Sequence, residues 1–176
     1  RGNISFGTSN ISLGTTAPTT SQYLQYNGTS VVGGTVSAGK VVQTVYSSTN
    51  AIGTNATQNY AATGLAGTIT PTSASNNILV FVSQNGLYKN LSGDFGISVQ
   101  LLRGTTVVAL IGDALFYGIT SVTEAYLGAV SVSYQDSPAG TTATTYSTQF
   151  KSYGTCTTKV QNLNAVSSML LMEVTP

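Results

Sequence analysis

Histidine and tryptophan are absent from this chain of 176 residues, and cysteine occurs once, at Cys156. Without histidine, Ser–His–Asp triads and His-ligated zinc or iron are excluded within one chain. One cysteine makes neither an intrachain disulfide nor a thiolate metal cage. Charge is scarce as well: six Lys and Arg and five Asp and Glu make up 6% of the residues, for a net charge of +1. An average soluble domain carries about 25%. Six scattered cations cannot form the basic stripe on which phosphate binding depends, so no nucleic-acid partner is expected. No run approaches the roughly 18 uncharged apolar residues of a membrane span, so insertion into a bilayer is not expected either. The chain opens on Arg1-Gly2-Asn3, with no initiator Met or signal peptide, and reads as a fragment of something longer.

Polar uncharged residues take the place of charge. Ser and Thr number 49, with 19 Gly and 12 Asn besides. Yet 41% of the residues are apolar, and they fall in short runs of Val, Ile, Leu, Phe and Tyr. Such runs bury enough surface to offset ordering entropy, so the chain is expected to fold. Glu, Lys, Arg and Met, the strong helix formers, total ten, and no long window escapes Thr, Ser, Gly and Asn.

Strands are legible directly. Residues 96–101 (GISVQL) alternate apolar and polar, the pattern of a half-buried strand. A tight turn at Gly104 leads into a second strand over 107–111. Residues 130–134 (VSVSY) alternate again, and a turn over 136–140 precedes 144–150, which places Tyr146, Thr148 and Phe150 on one face. Residues 78–82 (ILVFV) and 169–172 (MLLM) are apolar on both faces, as if covered on one side by a second sheet and on the other by another subunit. With 41–46 and 159–161 the count reaches about eight or nine strands, punctuated by Gly, Asn, Ser and Pro, which predicts an all-β antiparallel sandwich or jelly roll.

A boundary falls near Gly39. Before it, a seven-residue repeat (ISFGTSN, then ISLGTTA) starts at Ile4 and at Ile11, and residues 22–29 (QYLQYNGT) read as a hairpin. Residues 1–39 are therefore expected to be a β-structured stalk and neck, and 40–176 a sandwich head. A piece of about 39 residues is too small to be stable alone, and a surface this poor in charge lacks the usual protection against association. Both point to an obligate oligomer.

Four segments carry a resemblance: TTAPTTSQYLQYNGTS, TITPTSASNNILVFVS, SVSYQDSPAGTTATTYSTQFKS and the final SSMLLMEV. Together, over most of residues 15–176, they resemble the distal ends of bacteriophage tail fibres, closest to fibre-like proteins of phages of marine and aquatic bacteria. The resemblance implies a homotrimer in the virion, with a thin shaft joined to other tail proteins and a tip that binds host polysaccharide or an outer-membrane protein. The iron-binding His-x-His pairs of some fibre tips have no counterpart in this chain.

Candidate contact residues follow from the loops. Tyr88, Tyr117, Tyr126 and Tyr153 lie in or beside predicted loops, and tyrosine offers a rigid apolar face with a hydroxyl, suited to sugar rings or protein surfaces. Lys89 and Lys151 are placed to meet anionic polysaccharide and Asp94 or Asp113 to accept from sugar hydroxyls. The receptor-binding set is thus Tyr88, Lys89, Asp94, Tyr117 and Tyr153. Solvated loop charges and tyrosines that merely cover the sandwich ends remain the plainer alternative. No catalytic residue, cofactor or metal is expected. A polysaccharide-cleaving fibre would need paired carboxylates, for which Asp113 and Glu124 are the nearest candidates. A purely structural virion piece and a trimeric lectin-like domain of the tumour-necrosis-factor type are the other readings left open. Glu173, inside the apolar last strand, is expected to be buried against a backbone N–H, a Thr or a Lys.

Overall fold

The structure is a computed structural model. It describes residues 39–117 and 124–176 in full and, of residues 1–38, the backbone of four strands. The neck around Pro18 and the turn at 27–29 lie outside the described residues. The chain divides into two compact units, Arg1–Lys40 and Val41–Pro176.

In the first unit, β1 (Asn3–Phe6), β2 (Ser9–Leu13), β3 (Gln22–Tyr26) and β4 (Ser30–Thr35) form one sheet in the order β1-β2-β4-β3. The seven-residue repeat has a structural meaning here, because Ile4 and Ile11 are register partners in the antiparallel β1–β2 pair. The hairpin read over 22–29 is longer than its sequence signal: its arms are β3 and β4, with Tyr26 opposite Val31.

The second unit is an all-β antiparallel sandwich. Its strands are β5 (Val41–Thr49), β6 (Gly53–Asn55), β7 (Ala61–Ile69), β8 (Asn77–Asn90), β9 (Gly96–Arg103), β10 (Thr106–Leu115), β11 (Glu124–Asp136), β12 (Thr144–Tyr153), β13 (Thr158–Val160) and β14 (Ser167–Val174). One sheet runs β10-β9-β12-β7; the other runs β5-β14-β8-β13-β6, with β11 along the opposite side of β8. The 14-residue β8 organises the second sheet. Its first half pairs with β14 and its last residues with β13. Gly86, at φ 63°, marks the change of partner, and a Cβ there would stand 2.5 Å from the Asn162 backbone nitrogen. Only glycine allows both the left-handed backbone and that approach.

Two apolar clusters fill the space between the sheets. One joins Leu65, Ile69, Leu101 and Tyr146 of one sheet to Ile78, Val80, Val82, Met169 and Leu171 of the other. The second joins Ile97, Val99 and Phe150 to Leu87, Ala125, Leu127 and Val160. A belt of buried polar groups adjoins them. Thr148 Oγ1 on β12 donates to Gln84 Oε1 on β8 (3.0 Å) and meets Thr63 Oγ1 at 2.5 Å. Gln84 Nε2 donates to Ser167 Oγ (2.9 Å), which also meets the Gln161 amide at 3.0 Å. Among the described residues no buried side-chain nitrogen or oxygen lacks a partner, as burial of polar groups requires.

Two readings of the sequence change. Residues 96–102 are buried on both faces, not half-buried. Ser98 and Gln100 are sheltered because Asp113 and Gln149 lie over them, accepting their hydrogen bonds at 2.5 and 2.8 Å. Residues 87–90, read as loop, continue β8. Residues 78–82 and 169–172 are covered on one face by the second sheet, whereas Phe81 on the other face is 38% exposed in this chain.

Glu173 finds its partners about a hundred residues away. Its carboxylate is fully buried and accepts from Thr72 N (2.7 Å), Thr72 Oγ1 (2.8 Å), Asn76 Nδ2 (2.6 Å) and Gln43 Nε2 (2.6 Å). Burial alone would raise its pKa, but these donors together hold it down, from 4.5 to about 2. The charge thus ties the loop between β7 and β8 to β14. Because the folded pKa is the lower one, the stabilisation is present in full above pH 4.5 and is lost as pH falls towards about 2. We expect Glu173→Gln, which turns one accepting oxygen into an NH2 group among four donors, to cost roughly 2–4 kcal/mol at neutral pH. It should also flatten the acid limb of the melting temperature, as thermal unfolding at a series of pH values will measure.

Candidate functional site

β9 runs between the two ends of the sandwich. At its first residue, Gly96 pairs with Tyr153; at its last, Arg103 pairs with Tyr146. The ends are about 24 Å apart, seven residues at roughly 3.4 Å each. Val41 pairs with Val174, which pairs with Asn77 at the start of β8. The Gly96 end is therefore the one opposite the residue at which this unit begins.

That end gathers three of the five candidate residues. Tyr117 follows β10, Tyr153 closes β12, and Asp94 lies in the loop between β8 and β9. The tyrosine rings meet edge to face, centroids 5.6 Å apart at 89°, with Tyr117 54% and Tyr153 41% exposed. Asp94 is exposed beside them. Its negative charge is the main cause of a raised Tyr117 pKa; partial burial and Tyr153 add to it. Two open aromatic surfaces and a carboxylate acceptor thus share one small area.

The other two candidates are placed differently. Lys89 is fully buried. Its ammonium donates to the carbonyls of Gly93 (3.2 Å) and Phe95 (2.8 Å). It therefore braces the Asp94 loop from below and offers no surface to an anionic polymer. Tyr88 is 6% exposed, stacked edge to face on Tyr126 at 5.6 Å and covered by Lys159 at 5.0 Å. Its hydroxyl donates to Glu124 at 3.0 Å, and burial first, then Glu124, raises its pKa.

Sequence reasoning missed Phe95, the residue that fixes the loop pair. Its ring packs under Gly93 and Gly154, where a Cβ would come within 2.8 and 2.5 Å of it. The signal was present in Gly93-Asp94-Phe95 and Tyr153-Gly154, where glycines flank both candidate side chains. Cys156 is buried beneath, its sulfur 3.1 Å from Ser152 Oγ, and packs as a small residue.

Four of the five carboxylates are engaged by the chain's own donors. Asp113 accepts from Ser98 and the Ala114 N–H, Glu124 from Tyr88, and Glu173 as described. Asp136 is paired with Arg103 at 2.8 Å and accepts from Tyr146 at 2.6 Å, which pushes the already buried Tyr146 phenol up in pKa. Among the described residues no three His, Cys, Asp or Glu side chains gather as a metal site. An open cleft of about 400 Å³ lies at the Arg103 end, lined by Arg103, Gly104, Pro138, Ala143, Thr144 and Thr145. It holds no aromatic side chain.

Gly154→Ala tests the support of the tyrosine site. The residue sits at φ +85° against Phe95, so left-handed strain and overpacking should together cost roughly 2–4 kcal/mol. Thermal melting reads that loss, and the near-ultraviolet tyrosine signal should change with it.

No family model matches the chain, and no curated protein matches it. Among solved structures it is similar to the crystal structure of the infectious bursal disease virus VP2 subviral particle, with 11% identity and a TM-score of 0.43 over 96% of this chain and 47% of that one. It is also similar to a structure of the infectious bursal disease virus Gx strain, with 11% identity and a TM-score of 0.25 over 98% of this chain and 43% of that one. The chain spans somewhat less than half the length of these solved chains.

Proposed function

We propose that this chain is the host-recognising end of a bacteriophage tail fibre, a non-enzymatic homotrimer that binds saccharide of the bacterial surface through Tyr117, Tyr153 and Asp94. The observation that carries the reading is the exposed, edge-to-face tyrosine pair beside a carboxylate, at the sandwich end opposite Val41. Each ring offers an apolar face to the C–H side of a pyranose, and Asp94 accepts from hydroxyls at the ring's rim. Lys89 and Phe95 hold the loop in place before ligand arrives, which reduces the ordering cost of binding.

A single site of this kind is shallow and weak. Several copies on one tip, and several fibres on one particle, convert weak contacts into durable adsorption. In this reading the first unit belongs to the shaft and joins the tip to other tail proteins.

The chain is assayed against a panel of bacterial surface polysaccharides. Tyr117→Ala and Tyr153→Ala should each weaken binding on the order of tenfold, equivalent to about 1.4 kcal/mol, with the melting temperature retained. Asp94→Asn should lower affinity less. Equal binding by all three variants, or release of reducing ends from the polysaccharide, overturns the proposal.

A further inference from the structure

Among its described residues, the second unit carries no charge over the middle of the outer face of the sheet β5-β14-β8-β11. Register defines three complete rows across its four strands. Thr44, Met172, Leu79 and Gln135 form the first, and Tyr46, Leu170, Phe81 and Ser133 the second. The third is serine on every strand: Ser48, Ser168, Ser83 and Ser131. Tyr46 is 65% and Phe81 38% exposed at the centre of this face, and Val42, on the same side of β5, is 38% exposed.

Charge lies everywhere else. Asp113 and Lys151 sit on the outer side of the other sheet, Asp94 at one end of the sandwich and Arg103 at the other. On the outer side of the β5-β14-β8-β11 sheet itself, the first charged groups are Glu124 and Lys159, beyond the rows and towards the Gly96 end. Of the nine charged residues of the second unit, none lies in these three rows.

We infer that this face is covered by a second copy of the chain; the inference rests on the oligomeric part of the proposal above and assigns the surface that the oligomer uses. Three observations favour a copy over an unrelated partner. Copies of the face are able to gather about a shared threefold axis without like-charge repulsion. Tyr46, Phe81 and Met172 within the face are residue types enriched at the centre of an interface. Its size fits as well: four strands about 4.8 Å apart and some 30 Å of strand length give roughly 550 Å² of flat sheet before side-chain relief is added. A standard interface buries about 800 Å² of accessible surface per partner. The serine row adds a flat strip on which a neighbouring backbone is able to approach closely.

Ser133→Lys and Phe81→Lys place a cation on this face at positions with access to solvent, and circular dichroism and melting check the fold of each. Sedimentation equilibrium of the full chain should give a multiple of 18.1 kDa. Each variant should raise the dissociation constant roughly tenfold or more. A wild-type chain that stays single at the highest concentration reached overturns the inference, and so does an oligomer that both variants leave as tight as wild type. Saccharide affinity per copy, measured on the dissociated variants, reads the Tyr117–Tyr153 site separately. Failure of that site and failure of this face therefore give different results.

Discussion

The hydrogen-bonded belt from Thr63 through Thr148 and Gln84 to Ser167 and Gln161 is the interaction on which the second unit turns. Thr148 and Gln84 belong to different sheets, so their bond fixes how the sheets face each other with a directionality that apolar contacts lack. A slip of one strand by one residue would carry these groups out of reach and leave several buried donors and acceptors unpaired. The two apolar clusters provide most of the driving force, and the belt chooses the register in which it is spent.

Scarcity of charge explains much of the remaining design. The one described ion pair, Arg103 with Asp136, closes one end of the sandwich. Elsewhere amides and hydroxyls take over tasks that ion pairs often perform: the buried Glu173 is neutralised by no cation but is solvated by Gln43, Thr72 and Asn76. Lys89 likewise spends its ammonium on two loop carbonyls. With its few charges committed in this way, the chain meets the outside with tyrosine, serine and threonine.

Much of the architecture was legible. Alternation over 130–134 and 144–150 pointed Val132, Tyr134, Tyr146, Thr148 and Phe150 inward, and the structure packs them there. By contrast, β7 was invisible because AATGLAGTI is rich in Ala and Gly, and its inward side needs small residues: Gly67 lies against Leu171 and Met169. The burial of Lys89 was equally hidden, since a lysine beside Asn90 and Gly93 looks like loop surface until the carbonyls of Gly93 and Phe95 are known to converge on it. Tyr117, Tyr153 and Asp94 were each noticed for their glycine-rich surroundings. Their meeting, across three separate connections, is a property of the fold and has no local signature. For the same reason Glu173 was recognised as a buried acid while Thr72 and Asn76 went unnamed.

The polar belt also partitions the unit along its length. Residues that pack the Gly96 end, such as Ile97, Phe150 and Val160, belong to a cluster separate from Val80, Met169 and Leu171 beneath the uncharged face. Substitutions in the loops around Asp94, Tyr117 and Tyr153 strain the nearer cluster first and leave the further one, with the surface above it, largely undisturbed. The loop end at Gly96 and the sheet face over Val80, Met169 and Leu171 are thereby able to vary in sequence independently of each other.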